Sequence, residues 1–180
     1  MDAIEDIGKN HPPARGRELQ VTVLVDSDHA HDRKTRRSIT GIICYVGSTP
    51  VIWLSKRQGA VATSTYAAEF MALRHGVEEI MHLRYMLRCL GVPVTKPSNL
   101  FGDNLGVIQN ATNVDAEMKK KHVSISFHAV GEAIAAGILI PYWLKGKKIL
   151  SDIMTKQIGS SEFLAHVETL FWSPDFGDGH

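Results

Sequence analysis

The chain has 180 residues, 44% of them hydrophobic, and its 20 basic and 19 acidic residues leave a net charge of +1. This length and composition are typical of one globular domain with a sizeable core. No apolar stretch is long enough to cross a bilayer, and residues 1–20 lack the apolar block of a secretory signal. The near-neutral charge means that any positive surface must be local. Cys44 and Cys89 are predicted to be buried, unpaired and in a reducing compartment.

Residues 1–20 are predicted to be a linker or tail, because Pro12-Pro13 and nearby arginines disfavour a packed element. A first strand is predicted over Val21–Asp28, whose alternating β-branched residues are typical of a strand. This strand brings Asp26 to the rim of the fold. Two more strands, over Ile39–Val46 and Val51–Ser55, are predicted to form a hairpin or meander beside it, with a turn over 47–50.

The longest predicted helix follows, and an apolar stripe marks one of its faces. Its residues are spaced by three or four along the chain: Tyr66, Phe70, Leu73, Val77, Ile80, Leu83, Leu87 and Leu90. Ser64 or Thr65 can cap the start of this helix, and Gly91 ends it. Glu69 lies near the start and borders the buried stripe.

The second half of the chain mixes helices and strands. The predicted elements are a strand over 99–102, a short helix through Val107 and Ala111, a helix over 115–136, a strand over 138–144, and a last helix through Phe163, Val167 and Leu170. Asp103 follows the fourth strand, and Asn104 can cap the short helix. Ser151 is a plausible N-cap with Asp152 in the first helical turn. This order predicts a mixed α/β sheet with helices on its faces.

Four acids can now be placed at element ends: Asp26, Glu69, Asp103 and Asp152. If the first and fourth strands are neighbours, Asp26 and Asp103 share one edge of the sheet, and helix starts packed there add the other two. Like charges at short range raise pKa values unless a cation compensates them. Mg²⁺ prefers oxygen ligands, and two such ions roughly 4 Å apart form a known arrangement for cleaving phosphodiesters.

The motifs around these acids resemble a known family. The matching blocks are Val25-Asp26-Ser27-Asp28, Arg36-Arg37-Ser38-Ile39-Thr40-Gly41, Trp53-Leu54-Ser55-Lys56-Arg57-Gln58, Ser64-Thr65-Tyr66-Ala67-Ala68-Glu69-Phe70, Asp103-Asn104, Lys121-His122 and Ser151-Asp152-Ile153-Met154-Thr155-Lys156. In this order they resemble the ribonuclease H domain of a copia-type (Pseudoviridae) retrotransposon Pol polyprotein. The resemblance covers about residues 21–172, which are predicted to be the domain, with a disordered tail over 173–180.

This resemblance implies a ribonuclease H-like fold, with a five-stranded sheet in the order 3-2-1-4-5 and helices on both faces. It implies endonucleolytic cleavage of the RNA strand of RNA–DNA hybrids during reverse transcription. The four acids would be catalytic and would hold two Mg²⁺ ions, for which Mn²⁺ can substitute. The implied partners are the hybrid and the reverse transcriptase domain of the same polyprotein, with no membrane. The implied compartment is a cytoplasmic virus-like particle or the nucleus.

Six residues are candidates for substrate binding. The 2′-hydroxyl of the substrate is the group that would distinguish RNA from DNA. The six candidates are Ser64, Thr65, Asn104, Lys121, His122 and Lys148. The first three have an equally good explanation as helix caps. Lysines at residues 119–121 could contact phosphate or simply be solvated.

The chain departs from the family pattern in places. His29 stands where the family often has an aromatic residue, and no histidine precedes Asp152 in its loop, so a role in product release is unfilled or falls to a nearby lysine. His29 and His31 also suggest a zinc site, completed by Asp28 or Asp32, although a solvated loop explains them better. Trp53 is expected in the core.

Two functions from different classes remain open. The first is a metal-dependent nuclease, and the second is a non-catalytic module of the same fold that acts as a nucleic-acid-binding or assembly platform. Retention of all four acids favours the nuclease, because a scaffold has no need for clustered negative charge.

Overall fold

The computed structural model describes residues 12–32, 34–113, 121–145, 150–156 and 158–170, with only the backbone of 121–123. The chain forms five strands, four α-helices and one 3₁₀ helix within these residues. They are β1 (Val21–Asp28), β2 (Ile39–Val46), β3 (Thr49–Arg57), α1 (Thr65–Cys89), β4 (Ser98–Gly102), α2 (Leu105–Thr112), α3 (Lys121–Ala135), β5 (Leu139–Trp143), the 3₁₀ helix (Leu150–Met154) and α4 (Ser160–Leu170).

The five strands form one mixed sheet in the order β3-β2-β1-β4-β5, which confirms the expected order. β1 is antiparallel to β2 and parallel to β4, and β4 is parallel to β5. β1 is therefore the central strand, with neighbours on both sides. A central strand suits the β-branched content of Val21, Val23 and Val25.

Helix α1 covers one face of the sheet, where it packs on the alternate β1 residues Val21, Val23 and Val25. The opposite face is covered by the 3₁₀ helix and α4. There Ile43 of β2 lines an apolar cavity of about 180 Å³ with Met154 and Leu170. Helices thus lie on both faces, as expected.

Several element ends differ from the sequence predictions. β3 begins at Thr49, so the hairpin turn is shorter than predicted and contains only Gly47 and Ser48; Gly47 has a φ of +64°. Leu90 is the C-cap of α1 and is 75% exposed, so it does not belong to the buried stripe.

Two further expectations about burial are wrong. Cys89 is exposed, although Cys44 is buried as predicted, and neither cysteine forms a disulfide within the described residues. Trp53 is 56% exposed, because it lies on the face of β3 opposite to Ile52 and Leu54, which pack against the core. These errors share one cause, since exposure depends on which elements pack nearby.

The later helices differ in extent and type. The predicted start of α3 at residue 115 lies outside the described residues, which show α3 from Lys121. Ser151 is not an N-cap: it lies inside the 3₁₀ helix, and its buried Oγ has no hydrogen-bond partner among the described residues.

Residues 12–20 form neither helix nor strand, but they hydrogen-bond to the loop between α1 and β4. Arg15 N donates to Gly91 O at 2.8 Å, and Leu19 N donates to Pro93 O at 3.2 Å.

The domain boundaries remain predictions. Among the described helices, none combines the length and apolar character needed to cross a bilayer.

Candidate active site

Three carboxylates from distant parts of the chain meet at the ends of β1 and β4. Asp26 belongs to β1, Glu69 to the second turn of α1, and Asp103 directly follows β4. One oxygen from each lies within 4.8 Å of the others. Asp26 is 1% and Glu69 6% exposed, so this carboxylate cluster is largely removed from water.

Asp26 lies two residues before the end of β1 and is buried, whereas its predicted position is at the rim of the fold. β1 continues through Asp28, and Asp26 pairs with Gly41 of β2. Gly41 has no side chain, and a Cβ there would lie 2.6 Å from Ser151 O. The 3₁₀ helix can therefore pack directly over this part of the sheet, which buries Asp26.

The fourth predicted acid, Asp152, lies beside the cluster, and the ammonium group of Lys156 lies between them. Asp152 Oδ1 accepts a hydrogen bond from Lys156 Nζ at 2.8 Å, and the same Nζ lies 3.8 Å from Asp26 Oδ2. The adjacent Thr155 Oγ1 donates to Asp26 Oδ2. Segment 152–156 thus contributes an acid, a hydroxyl donor and an ammonium group to one site.

Burial and mutual repulsion raise the pKa values of the three clustered acids. Burial raises the pKa of Glu69 to about 8, with the charges of Asp103 and Asp26 adding to the effect. Burial also raises the pKa of Asp26 to about 6, although the Thr155 hydrogen bond opposes it. The pKa of Asp103 is raised by burial and by Asp152. Near neutral pH the cluster therefore favours a bound proton or cation.

The donor set of this cluster fits a hard divalent cation. Carboxylate oxygens are the ligands that Mg²⁺ prefers, and a bound cation relieves the repulsion that raises these pKa values. The cluster offers neither sulfur nor nitrogen ligands, which would favour zinc.

The alternative of a zinc site at His29 and His31 is not supported by the described residues. His29 Nε2 lies 3.1 Å from Ala62 O, whereas His31 Nδ1 pairs with Asp28. Asp32 accepts hydrogen bonds from the Thr35 side chain and backbone. These side chains are engaged separately, and the described residues contain no group of three potential ligands that includes them.

The start of α1, which carries Glu69, is tied to the sheet by a residue to which sequence reasoning assigned no role. The side chain of Gln58 is completely buried, and its Nε2 donates to Thr40 Oγ1 and Ala68 O, both at 2.9 Å. These bonds connect β2 to the residue next to Glu69. Thr155 and Lys156 were also unassigned, although the spacing of Asp152 and Lys156 is that of an i,i+4 ion pair.

The structure describes the side chains of three of the six predicted substrate-binding residues, which are Ser64, Thr65 and Asn104. Ser64 Oγ accepts from Ala67 N and Asn104 Oδ1 accepts from Val107 N, both at 3.2 Å, so both are helix caps. Thr65 is the exposed first residue of α1. The side chains of Lys121 and His122, and all of Lys148, lie outside the described residues. Their contacts with substrate remain predictions.

No family model matches the chain. In sequence it is 28% identical to the retrovirus-related Pol polyprotein from transposon RE1 of Arabidopsis thaliana. The aligned 149 residues cover 83% of this chain and 10% of that protein. The chain is 27% identical over 138 residues to the corresponding polyprotein from transposon TNT 1-94 of Nicotiana tabacum, covering 77% of this chain and 10% of that one. The chain thus spans about a tenth of these curated relatives.

Solved structures show the same fold at low sequence identity. The N-terminal RNase H domain of Rv2228c from Mycobacterium tuberculosis aligns with a TM-score of 0.58 and 13% identity, over 84% of this chain and 99% of that chain. LC11-RNase H1, isolated from compost by a metagenomic approach, aligns with a TM-score of 0.58 and 13% identity, over 76% of this chain and 92% of that one. The chain is therefore related in sequence to the retrovirus-related Pol polyproteins of plant transposons and has the ribonuclease H fold, as its motifs predict.

Proposed function

We propose that the chain hydrolyses the RNA strand of RNA–DNA hybrids by a two-metal-ion mechanism, as part of retrotransposon reverse transcription. The observation that carries this proposal is the convergence of Asp26, Glu69 and Asp103 within 4.8 Å on a ribonuclease H fold. Burying like charges together is costly unless a cation is bound. A scaffold with no metal chemistry would gain nothing from such a cluster.

The carboxylates of Asp26, Glu69, Asp103 and Asp152 would hold two Mg²⁺ ions. When bound, the ions supply an activated water and stabilise charge on the leaving 3′ oxygen. The protein contributes rigidity, because Asp26 lies within a paired central strand and accepts a hydrogen bond from Thr155. Glu69 must release its proton to act as a ligand, and burial has raised its pKa to about 8.

Recognition of the hybrid would use residues beside the acids. Ser64 and Thr65 begin the helix that carries Glu69, and Asn104 follows Asp103. Asn104 uses its Oδ1 for capping, which leaves its amide hydrogens for a substrate oxygen. The side chains of Lys121, His122 and Lys148 are proposed from the family resemblance to contact the phosphate backbone. A similar fold, LC11-RNase H1, has been crystallised with an RNA/DNA hybrid (TM-score 0.56, 12% identity).

The larger setting is proposed from the relatives. Because they are Pol polyproteins of which this chain spans about a tenth, we propose the reverse transcriptase domain of such a polyprotein as a partner. A cytoplasmic virus-like particle or the nucleus is the corresponding compartment.

Cleavage of a labelled RNA–DNA hybrid in Mg²⁺ or Mn²⁺ tests this function. We expect the parent protein to cut the RNA strand and Asp103→Asn to lose activity on the order of 100-fold or more, since outer partners of metal ligands alone contribute ~10- to 100-fold. Glu132→Gln removes an exposed acid on α3 and is the matched control, with unchanged activity expected.

The protein should not cleave duplex DNA offered as the substrate. Removal of the metal by a chelator should abolish cleavage of the hybrid. A parent protein that does not cut the hybrid, or equal cleavage by the parent and Asp103→Asn, would refute the nuclease and favour the non-catalytic alternative.

A further inference from the structure

Lys156 occupies an unusual position for a lysine. Its ammonium group bridges Asp152 and Asp26, with Nζ to oxygen distances of 2.8 and 3.8 Å. Asp26 is buried and belongs to a different element, so this contact is more than an i,i+4 pair on a helix surface. The lysine side chain is itself 44% exposed, so its flexible stem leads from solvent into the cluster.

The charges around Lys156 account for this position. Burial lowers its pKa, but the hydrogen bond to Asp152 and the charges of Asp26 and Asp103 outweigh burial and raise it. The ammonium group in turn lowers the pKa values of Asp26, Glu69 and Asp103. It therefore partly neutralises the carboxylate cluster.

A divalent ion and the ammonium group cannot both occupy this place. Mg²⁺ binds carboxylate oxygens at ~2.0–2.1 Å. An ion held by Asp26 Oδ2 and Asp152 Oδ1 would lie within a few ångströms of the observed Nζ, where two positive charges repel strongly in a partly buried site. The exposed stem of Lys156 allows the ammonium group to move outward when the ion enters.

We propose that Lys156 is the resident counter-cation of the carboxylate cluster and that an incoming divalent metal ion displaces it from Asp26 and Asp152. This inference rests on the proposed metal-dependent function. It assigns Lys156 a role in metal loading: the ammonium group stabilises the cluster without metal and weakens the affinity for the ion that replaces it.

Calorimetric titration with Mg²⁺ and with Mn²⁺, in the absence of nucleic acid, tests this role. We expect Lys156→Gln to bind both ions about tenfold more tightly than the parent protein, because a competing charge a few ångströms away is gone. Lys156→Arg keeps the charge and should bind close to parental affinity. Lys96→Gln also removes one positive charge, but from an exposed pair with Glu18 near the start of β4, and should leave affinity unchanged.

Urea denaturation with and without metal supplies a second readout. We expect Lys156→Gln to be less stable than the parent in chelator and to gain more stability from saturating Mg²⁺, because the stabilisation of the folded state by a bound ion increases with the logarithm of the affinity. A purely structural ion pair would lower stability equally in both conditions.

Unchanged or weaker metal binding by Lys156→Gln overturns the inference. If the variant gains affinity but the parent does not cut hybrids, the inference stands and the proposed nuclease fails. If the parent cuts hybrids but the variant gains no affinity, the nuclease stands and the role of Lys156 fails. Absence of metal binding in both proteins refutes both proposals.

Discussion

At the scale of single residues, the chemistry of the site depends on how deeply its acids are buried. Asp26 and Glu69 are almost inaccessible, and their pKa values rise to about 6 and about 8, from 3.8 and 4.5. Asp152, which is 23% exposed, pairs with Lys156 instead. The pKa values of Asp26 and Glu69 rise because desolvation disfavours the charged form where water is excluded.

These raised pKa values predict how stability varies with pH in metal-free protein. Between about pH 4 and pH 8 the folded chain keeps protons that the unfolded chain has released. Because the folded state binds more protons, the free energy of unfolding should fall as pH rises through this window, by an amount on the order of a few kcal/mol. Urea denaturation in chelator at several pH values measures this slope.

Glu69→Gln provides the control for this prediction. The variant has no titrating group at this position, so its stability should decrease less with pH and exceed that of the parent at pH 8. Parallel slopes for the two proteins would show that Glu69 does not titrate in this range.

At the scale of elements, the site depends on how closely α1 approaches the sheet. Gly76 lies two turns after Glu69 on this helix, and a Cβ there would lie 2.7 Å from Val25 Cγ1 and 2.8 Å from Leu100 Cδ1. Both neighbours are buried core side chains, with 1% and 0% of their surface exposed. The absence of a side chain at residue 76 thus sets the spacing that brings Glu69 to Asp26.

Substitution of this glycine should push α1 away from the sheet. We expect Gly76→Ala to cost about 1–2 kcal/mol in the free energy of unfolding, since overpacking outweighs the better helix propensity of alanine. Gly131→Ala, in α3, meets no atom within 4 Å and should gain about 0.5–1 kcal/mol. Chemical denaturation of both variants checks the pair, and similar effects at the two positions would contradict the close approach.

At the scale of the whole molecule, residues 12–20 belong to the folded unit despite their lack of regular structure. Glu18 accepts hydrogen bonds from Lys96 N at 2.9 Å and from the Thr95 hydroxyl. Gln20 Nε2 donates to Pro97 O at 2.8 Å. These contacts join the segment before β1 to the loop before β4, at the opposite end of the sheet from the acids.

Removal of this segment should therefore lower stability and leave the chemistry intact. We expect a chain that begins at Val21 to melt several degrees below one that begins at Pro12, since each lost hydrogen bond contributes ~1 kcal/mol. Thermal denaturation compares the two, and hybrid cleavage at low temperature should be equal. Identical melting temperatures would show that the segment is only a linker.

Much of this architecture could be predicted from local pattern. The strands of the first hairpin, the long amphipathic helix and the caps at Ser64 and Asn104 follow from alternation, helical spacing and short polar side chains. The acids Asp26, Glu69 and Asp103 were identified from their positions near element ends and from the surrounding motifs. Sequence alone therefore determined the fold class and the identity of the three carboxylates that converge in the structure.

Tertiary structure alone decided the rest. Gly41 allows the 3₁₀ helix to approach and bury Asp26, Gln58 ties the start of α1 to β2, and Lys156 reaches Asp26 across 130 residues of chain. Each of these depends on contacts between different elements of the fold. Periodicity and spacing report which residues face a core, but the electrostatics of a site depend on distances and burial that exist only after the elements pack.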